Sequence, residues 1–222
     1  IMESTYPYLK GGVSAVVHDI VCENPDLTYG IIHIAWDKNS PHEDLYGMPE
    51  NVKWVKVLYL SLEVNRDAFA EACDPSALRM NFAERQALTQ RLMDGFSALI
   101  AGDVNPLWKP YDEGINPATR SYNLFGLFGT REFMQAIAGL GFFSEVPFGE
   151  LFWKVRDFVS ILFAILHERM PHARVYHAHT TGYAALIAAA AARDHGTSFL
   201  LTEHNLYIRD TVNTKLERNM AK

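Results

Sequence analysis

Ile1-Met2-Glu3-Ser4-Thr5-Tyr6-Pro7-Tyr8-Leu9-Lys10-Gly11-Gly12-Val13-Ser14 opens the chain. An apolar stub leads into a polar loop, a pair of glycines and an apolar-periodic segment. Val13, Val16, Val17 and Ile20 recur at helical spacing, and Gly11-Gly12 with Ser14 give a helix start signal. The stretch predicts a strand ending at Ile1-Met2, a loop over 3–12 and a helix over Val13–Val21. Strand, loop and helix in that order form the unit from which parallel α/β sheets are assembled.

The same alternation continues outward. Tyr29–Ala35 is almost continuously apolar, as suits a strand buried on both faces. Val52–Leu60 is β-rich, with Val55, Val57 and Tyr59 alternating against Lys53 and Lys56. The intervening 37–51 segment holds Pro41, Gly47 and Pro49 and reads as a loop. Near the end, Arg174–His177 is a short strand and Gly182–Arg193 an Ala-rich helix capped by Gly196. Ser198–Thr202 is a further strand, 203–210 a loop, and Asn213–Lys222 a charged helix or tail.

The middle of the chain differs. Phe82–Ala101, Arg131–Ala138 and Leu151–Arg169 read as helices, and Asn105–Ser121, rich in Pro, Gly, Asn and Asp, as an irregular connection. Trp108, Trp153, Phe142 and Phe143 are expected to pack this helical region. The expected fold class is α/β: a Rossmann-like parallel sheet with flanking helices and a helical insertion over about 66–170, in one domain spanning 1–222.

Bulk properties narrow the function. The 222 residues are 49% hydrophobic and 21% charged, as in an ordinary globular protein. The formal net charge of −6, without a basic run, argues against a nucleic-acid partner. Cys22 and Cys73 have no metal or disulfide spacing and are expected to be reduced thiols of a cytoplasmic protein. No apolar run reaches the length of a spanning helix, and no signal peptide is visible. The chain starts at Ile1 rather than Met, so both ends are expected to be cut from a longer protein.

In parallel sheets ligands bind beyond the carboxyl ends of the strands, which selects three loops. The first carries Gly11-Gly12, where absent side chains let a ligand approach the backbone and a helix N-terminus favours an anion such as a diphosphate. An ordinary turn and cap accounts for the pair as well. The second is His177-Ala178-His179-Thr180-Thr181-Gly182. Its two imidazoles lie on one side of an extended segment, where they could meet a ligand, pack structurally or, with a third ligand, hold a metal. The third, Glu203-His204-Asn205-Leu206-Tyr207, could bind a sugar hydroxyl through Glu203 or serve as a cap with a surface histidine. Tyr6 and Tyr8 add aromatic surface beside the first loop, for stacking or for the core.

Taken together and in this order, Met2–Tyr8 with Gly11-Gly12-Val13-Ser14, His177–Tyr183 and Thr202–Arg209 resemble the motifs of retaining GT-B glycosyltransferases of the Pel exopolysaccharide synthase type, in glycosyltransferase family 4. The resemblance spans nearly the whole chain, the helical insertion included. It implies the N-terminal, acceptor-side half of an enzyme that moves a sugar, glucose from UDP-glucose, to an acceptor or polysaccharide with retained configuration. Gly11 and Gly12 would lie against the donor diphosphate. His179 would be the catalytic histidine near the donor sugar. Glu203, His204, His177 and Tyr8 would line the acceptor side. The implied partners are a nucleotide-sugar donor, a carbohydrate acceptor and the missing C-terminal donor-binding domain of the same chain. A membrane-associated polysaccharide synthesis complex is also compatible. No cofactor and no metal are implied.

Ser4 and Asn205 stand where the family pattern has glycine. Nothing after residue 210 supplies the family's paired glutamates, so the fragment alone is expected to be inactive. Two other readings stay open: a metal-dependent hydrolase using His177, His179 and His204, and a non-catalytic nucleotide- or sugar-binding module.

Overall fold

The computed structural model describes residues 1–140 and 146–204. The chain divides into two compact units, one formed by Ile1–Leu58 with the residues from Pro171 onward, the other by Tyr59–Met170.

The first unit is a five-stranded parallel sheet with flanking helices, an α/β Rossmann-like arrangement. Its strands are β1 (Met2–Glu3), β2 (Tyr29–Ala35), β3 (Val52–Tyr59), β4 (Val175–Ala178) and β5 (Ser198–Leu201), in the spatial order β3-β2-β1-β4-β5. The register pairs Met2 with Ile32 on one side and with Ala178 on the other. At the far edge β4 and β5 pair from Val175–Ser198 to Ala178–Leu201. The Tyr29 N–H donates to the Asn51 carbonyl at 2.8 Å, which sets the starts of β2 and β3 side by side.

Helix α1 (Gly12–Glu23) turns Ser14, Val17 and Val21 inward, a stripe at helical spacing. Val17, Ile31 and Tyr6 are fully buried together, with Val13, Tyr46, Met48 and Val55 packed around them. The last helix of the unit (Tyr183–His195) buries Ala184, Ile187, Ala188 and Ala191 and packs on β1, β4 and β5. Alanine lets that helix approach the strands closely. Gly196 follows in the left-handed region (φ 62°) and closes the helix end, as a Cβ-free residue does best. Unlike the inner strands, β5 is exposed at all four residues, including Phe199, Leu200 and Leu201.

The second unit is helical. Its elements are α2 (Leu62–Ala72), α3 (Phe82–Ile100), α4 (Asn105–Gly114), α5 (Phe125–Phe128), α6 (Arg131–Ala138) and α7 (Phe148–Leu166), so the helix Tyr183–His195 becomes α8. Phe163 takes the edges of Phe69 and Phe125 at ring distances of 5.6 and 5.2 Å. Three of the helix starts are capped by side chains: Ser61 on α2, the reciprocal pair Asn81 and Glu84 on α3, and Thr130 on α6.

The helical unit departs from the sequence reading in places. Asn105–Gly114, expected to be irregular, is helical: Pro106 sits in the first turn, where a missing N–H is tolerated. Pro110 and Tyr111 are buried there, and α4 packs on α3, so tertiary contact outweighs the penalty of an internal proline. Helix α2 has no counterpart in the sequence reading. Trp153, expected to pack the helical region, is exposed, with the Arg156 guanidinium 5.1 Å over its ring. Phe142, Phe143 and the 213–222 segment lie outside the described residues. Among the described residues no helix is long and apolar enough to cross a membrane.

Candidate functional site

From β1 the chain builds outward to β2 and β3, then returns to the other side of β1 with β4 and β5. The connections reverse direction between β1 and β4, and at such a point the loops beyond the carboxyl ends diverge and leave a crevice. The Gly11-Gly12 loop follows β1 and the His177–Gly182 loop follows β4, so two of the three sequence-selected loops flank it. The third follows β5.

The glycine pair behaves unlike the other glycines of the unit. At Gly30 a Cβ would overlap the Trp54 ring, and Gly47, Gly182 and Gly196 have positive φ. These four are explained by the fold. Gly11 is extended (φ −175°, ψ 176°), and an added Cβ there would only touch Ser14 Oγ at 3.8 Å. At Gly12 a Cβ would meet nothing within 4 Å. Gly12 is the first residue of α1, where nothing in the backbone requires a glycine. No side chain caps α1, so the first-turn N–H groups are left for another acceptor. The turn itself is held by Ser14 Oγ, which donates to the Gly11 carbonyl at 3.0 Å and lies 2.8 Å from the Tyr46 hydroxyl.

Three imidazoles gather at the ends of β4 and β5. The His177 and His179 ring centroids are 4.1 Å apart, and those of His179 and His204 are 5.3 Å apart in a stacked arrangement. His179 Nδ1 lies 3.0 Å from His204 Nε2, and His177 Nε2 lies 2.7 Å from Thr202 Oγ1. The Thr181 hydroxyl donates to the Glu203 carboxylate. Backbone bonds lock the two strand ends: the His179 N–H donates to the Met2 carbonyl at 3.1 Å, and the Thr202 N–H to the Ala178 carbonyl at 2.8 Å.

His179 is fully buried, and its Nε2 has no hydrogen-bond partner among the described residues. Burial, with His177 and His204 adding to it, pushes its pKa down to about 3. The ring is therefore neutral near neutral pH and can act as a hydrogen-bonding group rather than as a proton store. His177 is shifted down as well, first by desolvation. Among the described residues no three His, Cys, Asp or Glu side chains form a metal-holding group. His179 Nδ1 and His204 Nε2 face each other instead of converging on a third point.

The sequence reading missed part of this neighbourhood. Glu3 is buried within the sheet and accepts from the Thr5 N–H at 2.6 Å, the Thr5 hydroxyl at 2.7 Å and the Tyr6 N–H. Burial pushes its pKa up to about 6, with the hydrogen bonds from Thr5 and the Ser4 backbone opposing that rise. His33, its register neighbour on β2, is buried and donates from Nδ1 to the Tyr6 carbonyl at 3.1 Å. One signal was legible: His33 interrupts the apolar run Ile31-Ile32-His33-Ile34-Ala35. Tyr6 is core. Tyr8 stands edge-on to His33 and His42, at 4.8 and 5.7 Å. Asn205 and the rest of the third motif lie outside the described residues.

The chain belongs to the family described as Domain of unknown function (DUF3492), whose model matches residues 1–219. No curated protein and no solved structure matches it.

Proposed function

We propose, taking that membership and the crevice geometry together, that the sheet unit is the acceptor-side half of a retaining GT-B glycosyltransferase. It would move a sugar, glucose from UDP-glucose, to a carbohydrate acceptor. The observation that carries this reading is Gly12: the fold has room for a side chain there, yet the position is bare, at the start of a helix whose first N–H groups no described side chain caps. A donor diphosphate needs that close approach and supplies the missing acceptors. The neutral, buried His179 suits a hydrogen bond to a sugar oxygen rather than proton transfer. The hydrolase alternative has no comparable support, because a nitrogen of His179 and one of His204 are engaged with each other.

Gly12→Ala tests the reading in the protein joined to its donor-binding domain. The variant should fold at least as stably as wild type, while its affinity for UDP-glucose falls by about tenfold or more through loss of close backbone approach. Calorimetric titration measures it. Unchanged affinity would remove the diphosphate from this loop. A wild-type protein that binds nucleotide sugars but never turns them over would mark a binding module instead.

A further inference from the structure

The loop from β1 to α1 is held from inside the sheet, and its supports are not the residues that would meet a ligand. Glu3 is 1% exposed. A surface loop does not require a buried carboxylate, and placing one there is costly unless its oxygens are fully used. Both are. One oxygen accepts from the Thr5 N–H and hydroxyl, the other from the Tyr6 N–H. On the other side of the same residue, the Tyr6 carbonyl takes the His33 Nδ1–H.

The rest of the loop builds on that point. The Tyr6 ring is fully buried, the Thr5 carbonyl accepts from the Tyr8 and Leu9 N–H groups, and the Pro7 carbonyl accepts from the Leu45 N–H. The path ends at Gly11, whose carbonyl takes the Ser14 hydroxyl and the Ala15 N–H. The segment between the Tyr6 peptide and this turn is thus held at Thr5 and Pro7, and the turn itself at Gly11.

We propose that Glu3 and His33 are positioning residues for the Gly11-Gly12 turn: together they hold both polar groups of the Tyr6 backbone and so set where the first N–H groups of α1 point. This rests on the diphosphate reading above and deepens it. A single hydroxyl or amide in place of Glu3 could not accept all three donors, which accounts for a carboxylate in the middle of a sheet. Preorganised N–H groups bind an anion without first giving up loop freedom.

The test uses the 222-residue chain, inorganic pyrophosphate as probe and amide NMR as readout. In wild type, pyrophosphate should shift the Gly11, Gly12 and Val13 amide signals. In Glu3→Gln and in His33→Leu, those signals should already differ in the free protein, and pyrophosphate affinity should fall by about tenfold. His33→Asn, which can keep a donor near the Tyr6 carbonyl, should recover most of it. That rescue separates positioning from general packing. If Glu3→Gln does not fold, Thr5→Val removes one of Glu3's donors and should weaken binding by about threefold. Unchanged free-state signals and affinity in the folded variants would overturn the inference. Wild type that ignores pyrophosphate would instead overturn the diphosphate reading, while the free-state signals still judge whether Glu3 and His33 set the turn.

Discussion

The sheet unit and the helical unit bury different kinds of polar group. Among the described residues the helical unit buries Ser61, Thr89, Asn116, Thr130 and Ser160. Four of them do local work: Ser61 and Thr130 cap helices, Asn116 accepts from the Ala118 N–H, and Ser160 donates to the Asp157 carbonyl. The sheet unit buries Glu3, Ser14, His33 and His179. Three of these are ionisable, and Glu3 and His33 grip the loop at the centre of the sheet while His179 ends β4. Burying an ionisable group is costly, and such groups gather where chemistry or binding needs them. The difference sets the buried ionisable groups in the sheet unit, and it is there that the proposed function is sought.

The comparison can be broken in three places. The largest effect belongs to the helical core. Phe125→Ala removes a fully buried ring that meets Phe163 at 5.2 Å, and should cost about 3–5 kcal/mol of stability in urea unfolding. Where the variant is still folded, its pyrophosphate affinity should match wild type. A parallel loss of affinity would give the helical unit a part in the site.

The next effect is on the sheet side. On the proposed function, His179→Asn in a protein that carries the donor-binding domain as well should lower turnover of UDP-glucose by about 10²-fold, the usual consequence of losing one well-placed hydrogen bond at a reacting centre. Asn approximates the reach of Nδ1 and keeps a partner for His204. Thr89→Val, at an equally buried polar site of the helical unit, should leave turnover unchanged. Equal effects of the two substitutions would abolish the distinction between the units.

The smallest effect is a pH dependence. The folded-state pKa of His179 is pushed below its unfolded value, so the unfolded chain takes up a proton at this residue as pH falls below about 6.5 while the folded chain does not. Stability contributed at neutral pH is therefore lost on the acid side. Glu3 works the other way: its raised pKa gives stability as pH falls through about 6. Substituting His179 removes only the first contribution. The stability difference between wild type and His179→Asn should shift in favour of the variant by about 2 kcal/mol from pH 6.5 to pH 5. A difference that stays constant with pH would mean that His179 takes up its proton in the fold as readily as in the unfolded chain.

Much of the architecture was legible in the sequence, for identifiable reasons. Tyr29–Ala35 and Arg131–Ala138 have the bounds that their apolar patterns indicate, because a strand buried among neighbours and an amphipathic helix each write their period into the chain. Gly196 marked its own helix end. Asn105–Gly114 was hidden because its two prolines and its polar residues signal a break, and only packing on α3 makes it a helix. The site was legible as loops but not as supports. The strand-end rule selected Gly11-Gly12 and His179 without indicating what holds them. Glu3 and His33 are adjacent only through the β1–β2 register, which sequence spacing does not encode. Tyr46 reaches Ser14 from a stretch readable only as a loop.

The outermost strand has a practical consequence. Phe199, Leu200 and Leu201 are apolar on both faces of β5, as in a strand meant for the inside of a sheet, yet all are exposed. Such an edge is a template for strand addition by any chain that reaches it. In a concentrated solution the available chains are copies of the same molecule. Self-association through β5 is the expected behaviour at high concentration, and a charge placed on that strand should reduce it.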